Sequence, residues 1–179
     1  MSIAVLYGGN RSNGNTETLT KKVTQGLIVE EIYLKDYLIE PIIDKRHTDE
    51  GFSEVNDDYN SIIDCILQHD ILIFSTPIYW YSMTGVMKNF IDRWSQTLRD
   101  DKYPDFKDQM AQKSAYVIAV GGDEPNMKGL PLIQQFRYIF DFIGINFDGY
   151  IIGMGNKPGE IFQDKQALYA ANQLRDKLK

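Results

Sequence analysis

The chain has 179 residues, 43% of them hydrophobic and 25% charged, which is typical of a single folded domain spanning residues 1–179. Its 25 acidic and 19 basic residues give a net charge of −6, and the basic residues are scattered, which argues against nucleic-acid binding. Cys65 is the only cysteine, no basic leader precedes the first apolar run, and no run reaches the ~20 apolar residues that cross a bilayer. We therefore expect a cytoplasmic protein with no disulfide, no membrane contact and no nucleic-acid partner.

Short β-branched or aromatic runs alternate with longer segments of helical period along the chain. The predicted strands are residues 3–7, 29–34, 71–75, 115–120 and 147–152, and the helices that follow them are residues 16–27, 57–69, 83–98, 130–143 and 163–178. Residues 35–56 carry no clear period and form the longest connection. This alternation predicts an α/β fold with helices on both faces of a parallel sheet, whose ligands bind in the loops after the strands.

The loop after the first predicted strand, residues 8–15, contains three glycines and three asparagines, which tolerate the left-handed backbone region. Residues 9–16 read G-x-x-x-x-G-N-T, so Asn15 replaces the lysine that neutralises the β- and γ-phosphates in a nucleotide-binding P-loop. Backbone N–H groups at a helix N-terminus, with Ser12, Asn15 and Thr16 as neutral donors, suit one phosphate group held without metal. The alternative is an ordinary polar turn in which Thr16 caps the helix.

The loop after the third predicted strand contains Tyr79, Trp80 and Tyr81 directly after a buried run. These aromatic residues are costly to expose unless they cover something, and a flat aromatic ligand would use them for edge or face contacts. Alternatively, they close the domain's own core or a subunit interface. Tyr79 is also the candidate catalytic residue, since Tyr79 or Tyr81 could donate a proton or a hydrogen bond to a ligand.

Two segments, YGGNRSNGNTETL at 7–19 and STPIYWYSMTGVMKNFIDRW at 75–94, resemble the flavodoxin-like NAD(P)H-dependent FMN reductase family. The resemblance is narrower to the flavin domain of its iron–sulfur flavoprotein group, and the order of elements agrees over nearly the whole chain. It implies a flavodoxin-like three-layer sandwich with a five-stranded parallel sheet in the order 2-1-3-4-5. It also implies FMN as cofactor and NADPH or NADH as electron donor.

The resemblance assigns the FMN phosphate to the first loop, the isoalloxazine to the loop after the third strand, and its pyrimidine side to the loop after the fourth. Arg11, Asn15 and Thr16, with the backbone from Gly9 to Asn15, would hold the phosphate. The cofactor-binding residues implied are Gly9, Asn10, Arg11, Ser12, Gly14, Asn15, Thr16, Pro77, Ile78, Tyr79, Trp80, Gly121, Gly122 and Asp123, with no metal ligand.

Two features depart from the family pattern. Gly9 stands where the family usually has serine, which removes one hydroxyl donor and leaves more of the phosphate contact to Ser12 and Thr16. In the iron–sulfur group the loop after the second strand carries closely spaced cysteines, whereas residues 42–47 contain none. Because a cluster needs thiolate ligands, the sequence excludes an iron–sulfur centre.

The loop after the fourth strand, GGDEPNMKGLP, contains no aromatic residue, whereas one-electron flavodoxins typically sandwich the flavin between aromatics from this loop and the one after the third strand. An open flavin face favours an FMN-dependent NAD(P)H oxidoreductase acting on a small acceptor such as a quinone, an azo or nitro compound, or a flavin. The alternatives are a flavodoxin-type one-electron carrier, a non-enzymatic flavin-binding module, and a P-loop-like nucleotide binder, which Asn15 weakens.

The predicted helix at 83–98 carries apolar residues over more than one stripe, including Trp94. This width favours a homodimer or tetramer, and the alternative is a monomer in which the excess packs under residues 35–56. His47 and His69 are expected to be a loop residue and a helix-end residue, and Cys65 an inert, partly buried thiol.

Overall fold

A single parallel sheet organises the computed structural model, which describes residues 1–179. Its strand order is β2-β1-β3-β4-β5, and every neighbouring pair is parallel. The strands are β1 Ile3–Tyr7, β2 Glu30–Tyr33, β3 Ile71–Pro77, β4 Ser114–Gly121 and β5 Asn146–Met154. The predicted α/β fold and its strand order 2-1-3-4-5 are confirmed.

Eight α-helices connect and cover the strands. They are α1 Asn15–Thr24, α2 Tyr59–Leu67, α3 Gly85–Asp92, α4 Trp94–Thr97, α5 Phe106–Met110, α6 Pro125–Lys128, α7 Leu130–Ile143 and α8 Lys165–Lys177, with short 3-10 helices at Leu34–Asp36 and Glu160–Gln163. Helices α1 and α8 pack on one face of the sheet, and α2, α3, α4, α5 and α7 pack on the other. None of them has both the length and the apolar character that spanning a membrane requires.

The central strands are mostly apolar because both of their faces are covered. In β3, Leu72 and Phe74 belong to the core under α2–α5 and α7, while Ile71 and Ile73 belong to the core under α1 and α8. Alternate side chains of a strand point to opposite faces, so a strand between two helix layers buries the side chains on both faces. This explains why the continuous apolar runs in the sequence identified the strands.

The predicted helix at 83–98 is divided in the structure. Thr84 caps the start of α3 by accepting a hydrogen bond from the Met87 N–H, and the helix is interrupted at Arg93 before α4 begins. Trp94 is buried, and its ring packs edge-on against Phe74 in the protein's own core. The apolar width of this region therefore serves the core, and the expected homodimer or tetramer stays a prediction.

Side chains of α3 and of Arg93, which follows it, anchor the long segment at 35–56. Arg93 Nη1 lies 2.6 Å from Asp57 Oδ2 and donates to the Glu40 carbonyl at 3.0 Å, with both charged side chains only 2% exposed. Asn89 donates to the Ile39 carbonyl at 2.6 Å. A buried charge pair of this kind needs its remaining polar atoms satisfied, and Arg93 donates to the Glu40 carbonyl and to Gln96 Oε1. The segment is thus an ordered cover on α3 and α4.

The remaining sequence predictions concern the short helices, Cys65 and the two histidines. Helices α5 and α6, with five and four residues, were not predicted because such short helices leave no periodic pattern. Cys65 is half-buried as predicted, and burial raises the pKa of its thiol. His69 lies just beyond α2, where its Nδ1 pairs with the Cys65 carbonyl at 2.9 Å, and His47 lies in the exposed part of the long segment.

Candidate functional site

The main cleft lies at the carboxyl edge of the sheet, where parallel strands bring their following loops together. It is bounded by the loops after β1, β3, β4 and β5. All but three of the predicted site residues line it: Gly9, Asn10, Arg11, Gly14, Asn15, Thr16, Pro77, Ile78, Tyr79, Gly121 and Gly122. The remaining three, Ser12, Trp80 and Asp123, lie beside it.

The loop after β1 is seated tightly against the start of α3. The Gly8 N–H donates to the Ser75 carbonyl at 2.8 Å, and a Cβ at Gly8 would lie 2.9 Å from Thr84 Oγ1 and 3.1 Å from Met87 Cβ. Asn13 turns the chain with a φ of 57°, a left-handed conformation that asparagine tolerates better than most residues. Glycine and asparagine therefore stand where the backbone path requires them.

The same loop presents a row of backbone donors to the cleft. The N–H groups of the cleft-lining residues 9–11 and 14–16 form no hydrogen bond within the chain, and those of Asn15 and Thr16 stand at the start of α1. Most buried backbone N–H groups in proteins are paired, and a helix N-terminus carries partial positive charge. Donors arranged in this way suit an anionic group with several acceptor oxygens.

The side chain of Asn15 forms hydrogen bonds within the chain. Its Nδ2 donates to the Lys157 carbonyl at 2.8 Å, and its Oδ1 accepts from the Gly159 N–H at 2.9 Å. The side chain therefore joins the loop after β1 to the loop after β5. The predicted contact of Asn15 with a phosphate group stays a prediction.

Ser12, Trp80 and Asp123 do not line the main cleft. Ser12 Oγ accepts from Lys35 Nζ at 3.1 Å on the outer side of the loop. Trp80 is 94% exposed and, with Asp123, lines a second, smaller cleft. That second cleft shares Ile78, Gly121 and Gly122 with the first and is completed by Tyr81, Pro125, Lys128 and Gly129. The two clefts therefore adjoin across the loops after β3 and β4.

The loop after β3 forms a tight hairpin with an unusual backbone. The N–H and carbonyl groups of Tyr79 and Ser82 pair reciprocally at 3.0 Å, and between them Trp80 and Tyr81 have φ values of 48° and 64°. Bulky residues rarely adopt this left-handed region, and such strain is concentrated at functional sites. The hairpin directs a large aromatic side chain outward beside the second cleft.

A polar network joins this hairpin to the loop after β4. Tyr81 Oη donates to Asp123 Oδ2 at 3.0 Å, and Lys128 Nζ donates to Asp123 Oδ1 at 2.7 Å. The Lys128 ammonium, followed by the Tyr81 hydroxyl, holds the pKa of Asp123 below its usual range. Asp123 is therefore a charged link between the two loops.

The main cleft is also lined by Tyr7, Glu17 and Tyr33, which were not among the predicted site residues. The rings of Tyr7 and Tyr33 stack with centroids 4.5 Å apart, and Glu17 pairs with Lys21 at 2.6 Å and accepts from the Asn13 N–H at 2.7 Å. Burial acts to raise the pKa of Glu17, but these two partners outweigh it and lower the pKa. Burial, followed by a hydrogen bond to a neighbouring glutamate, raises the pKa of Tyr7. Glu17 is thus an anion that lines the main cleft beside the loop after β1.

The loop after β5 was also missed, although it lines the main cleft through Gly155, Asn156 and Pro158. Its sequence, GNKPG at 155–159, is rich in turn-forming residues and follows a predicted strand, so the rule that identified the other loops could have found it.

The family model for NADPH-dependent FMN reductases matches residues 1–147. The chain belongs to this family. It is 62% identical over 174 residues to YwqN of Bacillus subtilis, which is named as an NAD(P)H-dependent FMN-containing oxidoreductase, and the match covers 97% of this chain and 96% of that protein. It is 25% identical over 193 residues to the iron–sulfur flavoprotein MJ1083 of Methanocaldococcus jannaschii, covering 99% of this chain and 95% of that protein. The solved structure of the Trp repressor binding protein from Bacillus subtilis superposes with a TM-score of 0.83 at 55% identity and covers 97% of each chain.

Membership of the FMN reductase family confirms the predicted class, an FMN-dependent NAD(P)H oxidoreductase, with FMN as cofactor and NADPH or NADH as donor. The structure fits this cofactor, because a row of unpartnered backbone donors meets a mixed aromatic and glycine-lined cleft. Residues 148–179 lie outside the matched region, yet their loop at 155–158 lines the cleft.

Proposed function

We propose that the main cleft binds FMN, with its phosphate at the loop after β1 and its ring system between the loops after β3 and β4. The observation that carries this assignment is that both family motifs meet in one cleft, with the backbone donors of residues 9–11 and 14–16 at one end. Arg11 lines this end without an ion-pair partner, and the buried Thr16 lies in the first turn of α1. Neutral backbone donors and one arginine suit a phosphate held without metal.

The residues proposed to contact the ring system are closely packed apolar and glycine residues and one polar residue, Tyr79. Pro77 has a fixed φ, and a Cβ at Gly121 would lie 3.2 Å from Ile78, so these loops pack closely. When bound, FMN supplies the two-electron chemistry that links a nicotinamide nucleotide to an acceptor. Tyr79 lines the cleft, is 42% exposed, and its hydroxyl forms no hydrogen bond within the chain. Tyr79 is therefore our candidate to donate a hydrogen bond there, whereas the Tyr81 hydroxyl is already bonded to Asp123.

The second cleft is the proposed approach for the electron acceptor. It adjoins the main cleft, and the exposed Trp80 beside it offers an aromatic face for stacking. Asp123 and Glu124 outnumber Lys128 at its rim, so its charge does not favour anions. These features support a small flat acceptor, such as a quinone, an azo or nitro compound, or a flavin.

We also propose that the protein is a single domain that acts in the cytoplasm as a homodimer or tetramer. Tyr138 and Phe142 of α7 are 65% and 68% exposed beside Ile91 and Leu98, which leaves an apolar groove along this face. Exposed apolar surface of this kind supports self-association. Light scattering after gel filtration tests it, and a monomer at micromolar concentration contradicts it.

The proposed function is tested by the visible spectrum of protein loaded with FMN and freed of unbound flavin, before and after anaerobic addition of NADPH or NADH. Retained flavin that either nucleotide bleaches supports the assignment. Retained flavin that neither nucleotide reduces favours a one-electron carrier, and no retained flavin contradicts the site.

A matched pair of variants tests the location of the phosphate site. Thr16→Val removes a hydroxyl from the first turn of α1, whereas Thr18→Val makes the same change outside the cleft. We expect only Thr16→Val to weaken FMN retention. Equal retention by the two variants would contradict a contact between the Thr16 hydroxyl and the phosphate.

A further inference from the structure

Lys35, which follows β2, contacts the loop after β1 that we assign to the phosphate. Lys35 lies in the 3-10 turn Leu34–Asp36 directly after β2, and its Nζ donates to Ser12 Oγ at 3.1 Å. Strands β1 and β2 pair in parallel with Tyr7 opposite Tyr33, so the loops after them emerge side by side. The contact therefore follows from the sheet order.

The charge of Lys35 is not neutralised by a carboxylate. Lys21 and Lys35 both lie 5.9 Å from the centre of the Tyr33 ring, but the Lys21 ammonium pairs with Glu17 at 2.6 Å. Lys35 forms no ion pair, and its only hydrogen bond is the one to Ser12. Of the two lysines beside this ring, Lys35 is thus the one whose charge is available to an anion.

A second cation at this position offsets the acidity of the chain and of the first turn of α1. The net charge is −6, and Glu17 places a carboxylate, 11% exposed, in the first turn of α1 with its Oε2 on the Asn13 N–H. That carboxylate opposes a second anion nearby. Arg11 offsets it from within the cleft, and Lys35 adds a second positive charge from outside the loop.

We propose that Lys35 is a specificity-determining residue that makes the cleft prefer the phosphorylated flavin, FMN, over riboflavin. It acts by placing its charge beside the loop and by fixing Ser12, whose hydroxyl accepts its hydrogen bond. The inference rests on the proposed function, and it concerns a residue that the two sequence motifs do not include.

The test compares two ligands that differ only in the phosphate. Flavin-fluorescence titration gives the Kd of flavin-free protein for FMN and for riboflavin, in the unchanged chain and in Lys35→Met. We expect the Kd for FMN to rise roughly three- to tenfold at low ionic strength, because a charge-assisted contact is lost, and the Kd for riboflavin to stay within about twofold. Added salt should shrink the difference for FMN, and Lys35→Arg should restore most of the preference.

The matched control is Lys22→Met, which removes the same charge from α1, where the ammonium donates only to Gln25 at 3.2 Å. A loss of FMN affinity in Lys22→Met equal to that in Lys35→Met would reduce the effect to net charge and overturn the proposal. Equal weakening of FMN and riboflavin in Lys35→Met, or no weakening of either, would overturn it as well. If the unchanged chain binds no FMN, the proposed function fails with it. If the chain binds FMN and Lys35→Met does so equally well, only the role of Lys35 fails.

Discussion

The loops after β1 and β3 reach the same cleft but are built in opposite ways. In the first, the single non-glycine residue with a left-handed backbone is Asn13, a residue type that accepts this conformation. In the second, the left-handed residues are Trp80 and Tyr81, which are bulky and resist it. The first loop presents backbone N–H groups to the main cleft, whereas the second presents the side chain of Tyr79 to it and those of Trp80 and Tyr81 to the adjoining cleft.

This difference teaches which part of each loop the site depends on. Where the backbone is the binding group, the side chains need only allow the backbone conformation. Where the side chain is the binding group, the backbone carries strain that the surrounding contacts must hold in place. Substitutions that alter the backbone path should therefore harm the first loop, whereas substitutions that relax the backbone should stabilise the second while removing its contacts.

The largest effect is expected at Asn15, whose side chain fixes the path of the first loop. Asn15→Ala deletes hydrogen bonds to the Lys157 carbonyl and to the N–H groups of Gly159 and Ile161 and leaves these groups unpaired. We expect the free energy of unfolding of the flavin-free protein to fall by about 3 kcal/mol, measured in urea. Asn10→Ala, an exposed change in the same loop, is the control, and equal stability of the two variants would refute the role of the Asn15 amide.

Two adjacent glycines provide the next contrast. A Cβ at Gly8 would lie 2.9 Å from Thr84 Oγ1, whereas a Cβ at Gly9 would approach nothing closer than Pro77 Cδ at 3.7 Å. We expect Gly8→Ala to cost about 2 kcal/mol of unfolding free energy through overpacking. Gly9→Ser, which introduces the serine usual in the family, should change it by less than about 0.5 kcal/mol. Thermal melting of both variants checks this, and the expectation fails if they lose the same stability.

The second loop should respond in the opposite sense. Trp80→Ala and Trp80→Gly both remove the exposed ring, but only glycine relaxes the backbone at a φ of 48°. We expect Trp80→Gly to be more stable than Trp80→Ala by about 1 kcal/mol, and both to raise the KM for an aromatic acceptor by a similar factor. Denaturant unfolding with steady-state kinetics separates the two effects. Equal stability of the pair would mean that the hairpin is unstrained.

The smallest effect is expected at the link between the loops after β3 and β4. Lys128, followed by Tyr81, lowers the pKa of Asp123, so each partner should raise that pKa when removed. We expect Lys128→Met to raise it more than Tyr81→Phe, as measured by carboxyl chemical shift against pH. Because the folded-state pKa is depressed, any stability that this link contributes is present at neutral pH and lost as the pH falls through the acidic range. The reverse order of the two variants would contradict the assignment.

Most of the fold was accessible from the sequence because its central strands are covered on both faces. The predicted strand at 3–7 coincides with β1, and the apolar run at 71–75 lies within β3. Helix boundaries were less accessible where polar tertiary contacts determine them. The interruption at Arg93 accompanies its pairing with Asp57, which is separated from it by 36 residues, and no apolar period records such a contact.

The site was accessible to the same degree and for the same reason. Loops that line the cleft with a local motif, such as residues 9–16, could be predicted from their glycine and hydroxyl pattern. The bond between Asn15 and Lys157 joins positions 142 residues apart, and the stacking of Tyr7 on Tyr33 depends on strand register. Both are consequences of three-dimensional pairing, which a single sequence does not display.

The buried pair of Arg93 and Asp57 makes the long segment after β2 a modular part of the protein. Arg93 holds the Glu40 carbonyl, and Gln96 donates to the Ser53 carbonyl at 3.3 Å, so the segment is clamped near both of its ends. Residues 41–52 between these clamps are mostly exposed. This stretch is therefore a place where a protein engineer could insert a different recognition loop. The anchoring contacts near its ends would leave the helices and the sheet unchanged.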